Sequence, residues 1–391
     1  MRADSIERLK DAMSVLSSNR LMQALTKDDL RMAVRGDTAE ARANAAQKIG
    51  RAIRAQSLTQ ADRDFAEKIL TLICRDVSEL VRRALAITLQ NSPNLPAAIA
   101  QTLINDVDSI AVPVLANSPV LTDEDLVSVL RSKAAAKVKA VAQRRTLSAA
   151  ITSAIISLGD GPAVAHLAAN DHVLISPEAT QHMAEVYGDN DLIREAALMR
   201  QDMPLPVVRK LIGITTQKAR YKLETLPEIT RGDAKDIAQR THERALLSYT
   251  DRDWPQKTLS LYVDGLHQDG LINEGLILRA AGQGDMRFVQ LAFARLCDIS
   301  VVKSGMMMFD RGPLGLKALC KRAQLPDTSY QFLRAALVIY RDFQVAGRNV
   351  SPLKMQVLML ERVLTLPIEL PEDLEIAFSE KLDGLSQMRL V

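Results

Sequence analysis

Aromatic residues make up only 4% of this 391-residue chain, and it has a single Trp. Aromatic and β-branched runs, the usual material of strands, are few, while Ala and Leu recur throughout, so intrinsic preference favours helix. Cysteine is almost missing. Cys74, Cys297 and Cys320 are odd in number and widely spaced, with no CxxC, which argues against a disulfide framework and suits a reducing cytoplasm. Cys297 follows Phe293 by four and Cys320 follows Leu316 by four. Both thiols therefore fall on apolar helix faces, as small buried hydrophobes rather than reactive groups.

Long apolar runs are also lacking. The nearest, 149–169, is interrupted by Thr152, Ser153, Asp160 and His166, so no membrane span is expected. The opening "MRADSIERLKDAM" has no apolar core of a secretory signal. Charge of one sign is lacking too. A net charge of +3 is too mild to demand nucleic acid as a partner.

Catalytic signatures are equally sparse. No GxSxG or HExxH occurs, and "THERA" (241–245) is not one. His166, His172 and His182 are spaced by six and ten, which does not put them on one helix face as zinc ligands. Asp123-Glu124-Asp125 reads as an acidic first turn complementing a helix dipole. In "DRGPLGLKALCKR" (310–322), Gly312, Gly315 and Lys317 lack the spacing of a phosphate loop, which leaves a turn followed by a helix. No cofactor, metal site or enzymatic constellation is expected.

What is present is a repeat. Hydrophobic residues make up 47% and charged residues 25%, a globular balance. Yet 391 residues exceed one ordinary core of ~100–200 residues unless the chain is an elongated array. Leu95, Leu121, Leu147, Leu174 and Met203 each follow a polar or Pro-bearing turn, at steps of 26, 26, 27 and 29. Before each turn a helix-like phrase ends in small apolar residues. After it a second phrase opens at a cap such as Thr122, Ser148 or Ser176, with Thr122 and Asp125 in capping-box spacing and Pro177 at the first helical position. This grammar predicts antiparallel helical hairpins stacked on one another, since one hairpin cannot bury its own apolar face. Leu58 is a looser marker of an earlier unit, 37 residues before Leu95.

The predicted fold is all-α. A solenoid of short hairpins with N-terminal capping helices spans 1–230, and an all-helical region packed on the array spans 231–391. Longer amphipathic helices are predicted near 235–249, 256–267, 285–297, 314–324, 328–346 and 353–365, with a closing helix in 369–391.

The stretch "SPVLTDEDLVSVLRSKAAAKVKAVAQRRTLSAAITSAIISLGD", with "AANDHVLISPEATQHMAEVYGD", "LIREAALMRQDMPLPVVRKLI" and "GDMRFVQLAFARLCDISVVKSGMMMFDRGPLGLKALCKRAQLP", resembles leucine-rich-variant and HEAT-like repeats. More specifically, residues 70–345 look like an alphaproteobacterial family of uncharacterised proteins, a domain of unknown function built on such repeats. The resemblance implies a helical-repeat fold and a bacterial cytoplasmic setting, and brings no catalytic residues. "QRRTLS" departs from the repeat by lacking Pro, and "NDHVLIS" by one extra residue.

Two features point to partners. "RSKAAAKVKAVAQRR" carries Arg131, Lys133, Lys137, Lys139, Arg144 and Arg145 without an acid, and Arg194, Arg200, Arg209 and Lys210 follow. Stacked repeats would align such residues into a basic stripe. It is either a solvated face or a grip for an acidic protein, a nucleotide or nucleic acid. Tyr187 and Tyr221 are the only aromatics within 131–222, few for base stacking. Met306, Met307 and Met308 before Phe309 cannot all face one core, so a partner surface competes with core filling. The function expected is a non-enzymatic protein-binding scaffold or regulatory adaptor. The alternative is nucleic-acid or nucleotide (anion) binding through the stripe, and an enzyme of the helical-repeat DNA-repair type ranks last.

Overall fold

Short amphipathic phrases with strong caps leave the chain one way to bury its leucines, as helices laid side by side. The computed structural model describes residues 25–55, 58–251, 253–346, 352–367 and 370–387. The opening charged stretch and the last four residues of the closing segment lie outside them. Among the described residues there are 22 helices and no strand. None of these helices is long and apolar enough to cross a membrane. The chain forms two compact units, Met1–Pro204 and Leu205–Val391.

Among the described residues the first unit holds twelve helices: α1 (Lys27–Arg35), α2 (Ala39–Ala55), α3 (Gln60–Ile73), α4 (Glu79–Leu89), α5 (Ala97–Ile104), α6 (Asp108–Asn117), α7 (Asp123–Arg131), α8 (Ala135–Ala142), α9 (Ala149–Ser157), α10 (Gly161–Ala168), α11 (Pro177–Tyr187) and α12 (Asp191–Met199). The even-numbered helices from α2 to α12 pack each on the next even one. In a second row α3 meets α5, and α7, α9 and α11 follow one another. The even row carries the tighter core, with Leu85, Leu89, Ile110, Val114, Leu115, Val138, Val141, Val164 and Leu167 sealed from solvent. Each such branched side chain contributes about 1.5–3 kcal/mol of burial.

The predicted caps are present. Thr122 Oγ1 accepts from the Asp125 amide while Asp125 Oδ2 accepts from the Thr122 amide. Ser148 and Ser176 accept from the Ile151 and Ala179 amides, and Pro177 opens α11.

One marker needs correcting. Leu174 is 78% exposed, and Val173 beside it is buried. The Val173 amide donates to the Asn170 carbonyl three residues back, as the Leu95 amide donates to Ser92. The inward register is therefore Leu95, Leu121, Leu147, Val173 and Met203, at steps of 26, 26, 26 and 30, with Leu147 half-buried and the others buried. "NDHVLIS" carries no extra residue before its core position, and the insertion falls in the following unit.

The second unit holds α13 (Leu205–Glu224), α14 (Arg231–Ser248), α15 (Gln256–Gln268), α16 (Glu274–Gly282), α17 (Met286–Leu296), α18 (Val301–Met308), α19 (Leu314–Arg322), α20 (Asp327–Ala346), α21 (Pro352–Leu364) and α22 (Glu372–Gln387). A helix lies at each of the six predicted places, although α19 has only nine residues. Two short helices, α16 and α18, lie between them. α16 packs against α14, α17, α20, α21 and α22, and everything from Leu276 to Gly282 is buried. Tyr262, Phe288, Phe293 and Phe332 fill the core around it. The Tyr262 hydroxyl meets the Leu246 carbonyl at 2.9 Å, which satisfies the one polar atom this ring takes inside.

Candidate functional site

The basic residues singled out in the sequence divide into two populations. Arg131, Lys133, Lys139 and Arg145 are exposed around α7 and α8, with Lys133 in a left-handed turn at φ 55°. The others turn inward. Lys137 Nζ donates to the carbonyls of Ile104 (2.9 Å) and Asp106 (2.8 Å) at the C-terminal end of α5. Arg144, 6% exposed, donates through Nη1 to the Leu115 carbonyl and through Nη2 to the Ser118 carbonyl at 2.8 Å. Burial pulls its guanidinium below the ordinary value, against the opposing charge of Asp123. Arg194, equally buried, reaches the Gly188 carbonyl and Asp191.

Of these inward cations Arg144 belongs to a ladder, whereas Arg194 bonds within its own hairpin. Arg144 sits three residues before marker Leu147, Asn170 three before Val173, and Arg200 three before Met203. Each donates to main-chain carbonyls one unit back. Asn170 Nδ2 reaches Ala142 and Arg144, and Arg200 reaches Asn170 (2.8 Å) and Val173 (2.6 Å). The positions one register earlier, Ser92 and Ser118, are fully buried. Carbonyls at a helix C-terminus have no partner within their own helix, and here the next unit supplies the donors. A second set of clamps joins Arg42 to Asp76 (2.7 Å) and Arg82 to Asp106 (2.6 Å), both bidentate. Arg144 and Arg194 are thus removed from any exposed stripe, because helix ends need donors more than the surface needs charge. The shared register was the available signal.

Arg209 and Lys210 belong to the second unit, in α13. Lys210 is exposed, whereas the Arg209 side chain is 10% exposed and its Nε pairs with Asp269 at 2.8 Å. The methionine run forms the end of α18. Met308 is buried, Met307 half-buried and Met306 72% exposed. Half-buried Phe309 stacks on Tyr340, ring centroids 5.8 Å apart. Val302, one turn before Met306, is also 72% exposed, and Leu314 at the start of α19 is 77% exposed. Lys303, Arg311, Lys317, Lys321 and Arg322 are exposed on the same hairpin, with Asp310 the one exposed acid from Val301 to Arg322. The hairpin is held close because Gly315 lies against the Met307 carbonyl, where an added Cβ would come within 2.4 Å.

His242 and Glu243, within "THERA", are internal. His242 Nδ1 is 3.0 Å from Thr216 Oγ1, and burial lowers its pKa against the pull of Glu243. Glu243 accepts from Arg279 (3.1 Å), Asn273 (2.8 Å) and Gln239 (3.1 Å), and Arg279 also contacts Asp373 on α22. This cluster borders a cleft of about 270 Å³. Its carboxylates are already matched by guanidinium and amide donors, and it ties α14, α16 and α22 together. All three thiols are buried, and burial pushes Cys74 and Cys320 up to about 12, far from the range of a nucleophile.

No curated protein and no solved structure matches the chain. The family model described as an uncharacterised protein conserved in bacteria, DUF2336, matches residues 110–367. That span runs from α6 to the end of α21 and takes in both the carbonyl ladder and the α18–α19 hairpin. Covering about two thirds of the sequence, it shows that the chain belongs to the DUF2336 family of bacterial proteins.

Proposed function

We propose that this protein is a non-enzymatic binding scaffold or regulatory adaptor, built from HEAT-like hairpins stacked as a solenoid, that docks another protein on the α18–α19 hairpin. The observation that carries it is the exposed apolar group Val302, Met306 and Leu314 among Lys303, Arg311 and Lys317. Val302 and Met306 stand one helical turn apart and so share a face. Exposed Met suits a surface that adapts to its partner, and the surrounding cations select an acidic, apolar-faced segment. The two helix rows of the first unit support the repeat assignment. Three buried, unbridged thiols support a cytoplasmic setting, and the sequence resemblance supports an alphaproteobacterial source.

The test replaces Val302 and Met306 with Glu and compares capture by wild type and variant in a lysate, with and without nuclease. The expected outcome is loss of an acidic protein that nuclease does not release. Turnover abolished by one polar substitution overturns the non-enzymatic assignment. A second possibility, anion or nucleic-acid binding, is favoured by the exposed group Arg131, Lys133, Lys139 and Arg145. It predicts capture that nuclease abolishes.

A further inference from the structure

Arg209 is placed unlike the other buried arginines. It stands on α13, where Leu205 is one turn before it and shares its face. The facing stripe of α15 presents Leu261, Asp264, Gly265 and Gln268, at helical spacing. Together with Pro206 these residues line a cleft of about 440 Å³, within the range of small-molecule sites. The helices approach closely here because residue 265 is glycine. A Cβ there would lie 2.3 Å from Arg209 Nη1 and 2.5 Å from Nη2, so the guanidinium crosses α15 where only glycine leaves room.

The hydrogen bonding is incomplete in one direction. Nε donates to Asp269 Oδ2 at 2.8 Å, which fixes the plane of the guanidinium. Among the described residues, neither Nη group has an acceptor within hydrogen-bond reach. Both lie against Gly265, a residue of the cleft lining, on a side chain nine-tenths buried. Arg144 and Arg200, by contrast, spend their Nη groups on carbonyls. The neighbouring charges nearly cancel: Asp269 is paired with Arg209, and Asp264 with Arg295. A site whose ion pairs already balance suits one negative charge better than two, and a carboxylate fits the planar fork of two Nη donors. Leu205, Pro206 and Leu261 offer an apolar wall beside that fork.

We propose that this cleft binds a single carboxylate carried on an apolar body, with Arg209 as the anchoring residue and Gly265 as the residue that admits it. The chemistry is shared by a free aliphatic acid and by the C-terminus of a peptide ending in an apolar residue. It is independent of the docking surface on α18–α19.

The full chain is titrated calorimetrically with hexanoate, N-acetyl-leucine, the amides of both, and inorganic phosphate. Saturable binding of at least one acid is expected, with none for the amides, and the tighter acid identifies the source. Arg209→Met removes the fork. Gly265→Ala displaces the guanidinium but keeps its charge, and circular dichroism checks that both variants fold. Each is expected to weaken the acid about ten-fold or more, as loss of a charge-assisted bidentate pair does. Neither acid binding wild type overturns the proposal, as does equal binding to both folded variants or binding of phosphate alone.

Discussion

A buried guanidinium is costly unless its donors are used, and Arg144 meets that cost with two carbonyls of the preceding unit. Removing it exposes no new surface for a partner and leaves the Leu115 and Ser118 carbonyls without their donors. Arg144→Ala is therefore expected to lower unfolding free energy by about 2–3 kcal/mol, read from the urea midpoint. Arg144 Nε and Ser118 Oγ are buried without partners among the described residues. An unmatched hydroxyl contributes nothing to offset its desolvation, so Ser118→Ala is expected to be neutral or slightly stabilising. A large loss in Ser118→Ala would show that the hydroxyl has an acceptor. From sequence alone these cations form a stripe, because spacing reports which residues share a register, not whether that register faces solvent. Six basic residues in fifteen suggested a surface, yet Lys137 and Arg144 end on carbonyls.

At the level of helices, hairpins were legible where their ends carry strong chemistry. Thr122, Ser148 and Ser176 cap the helices they were expected to cap, since a hydroxyl before an apolar phrase satisfies an amide whatever the tertiary context. α16 was illegible for the opposite reason. "EGLILRAAG" is short and buried from Leu276 to Gly282, so no solvent face marks it, and Gly275 and Gly282 within it read as turn residues. Val173 and Leu174 could not be separated by pattern, because adjacent apolar residues fit the same marker and only packing chooses between them. The clamps between helices also set a pH response. The hydrogen bond from Arg82 holds the Asp106 carboxyl below its ordinary range, burial opposing it. A folded pKa below the unfolded value of about 3.9 means the clamp contributes fully above that pH and is lost as pH falls through the depressed folded value. Urea midpoints are expected to hold steady through neutral and mildly acidic pH and to fall below it. Asp106→Asn should start lower at neutral pH and fall less steeply in acid. An identical acid profile in the variant would assign the loss to other carboxylates.

Over the whole molecule, the count of 50 Lys and Arg residues overstates the cations a polyanion would meet, since some are committed to carbonyls and carboxylates inside the fold. Around α7 and α8 the exposed group comprises Arg131, Lys133, Lys139 and Arg145. If each neutralised one phosphate, log affinity against log salt would have a slope of about −3.6, a loss of roughly two orders of magnitude between about 50 and about 200 mM. An acidic protein seated on Val302, Met306 and Leu314 draws on apolar burial, which salt does not screen. Its affinity should change by less than about ten-fold over the same range, because only rim charges respond. Met306→Glu should then weaken it more than Lys303→Ser does, since the first buries a carboxylate against apolar surface and the second removes one exposed charge. Measured by titration of the purified partner at both salt levels, a steep salt slope with Met306→Glu silent would move the contact from α18–α19 to the α7–α8 cations.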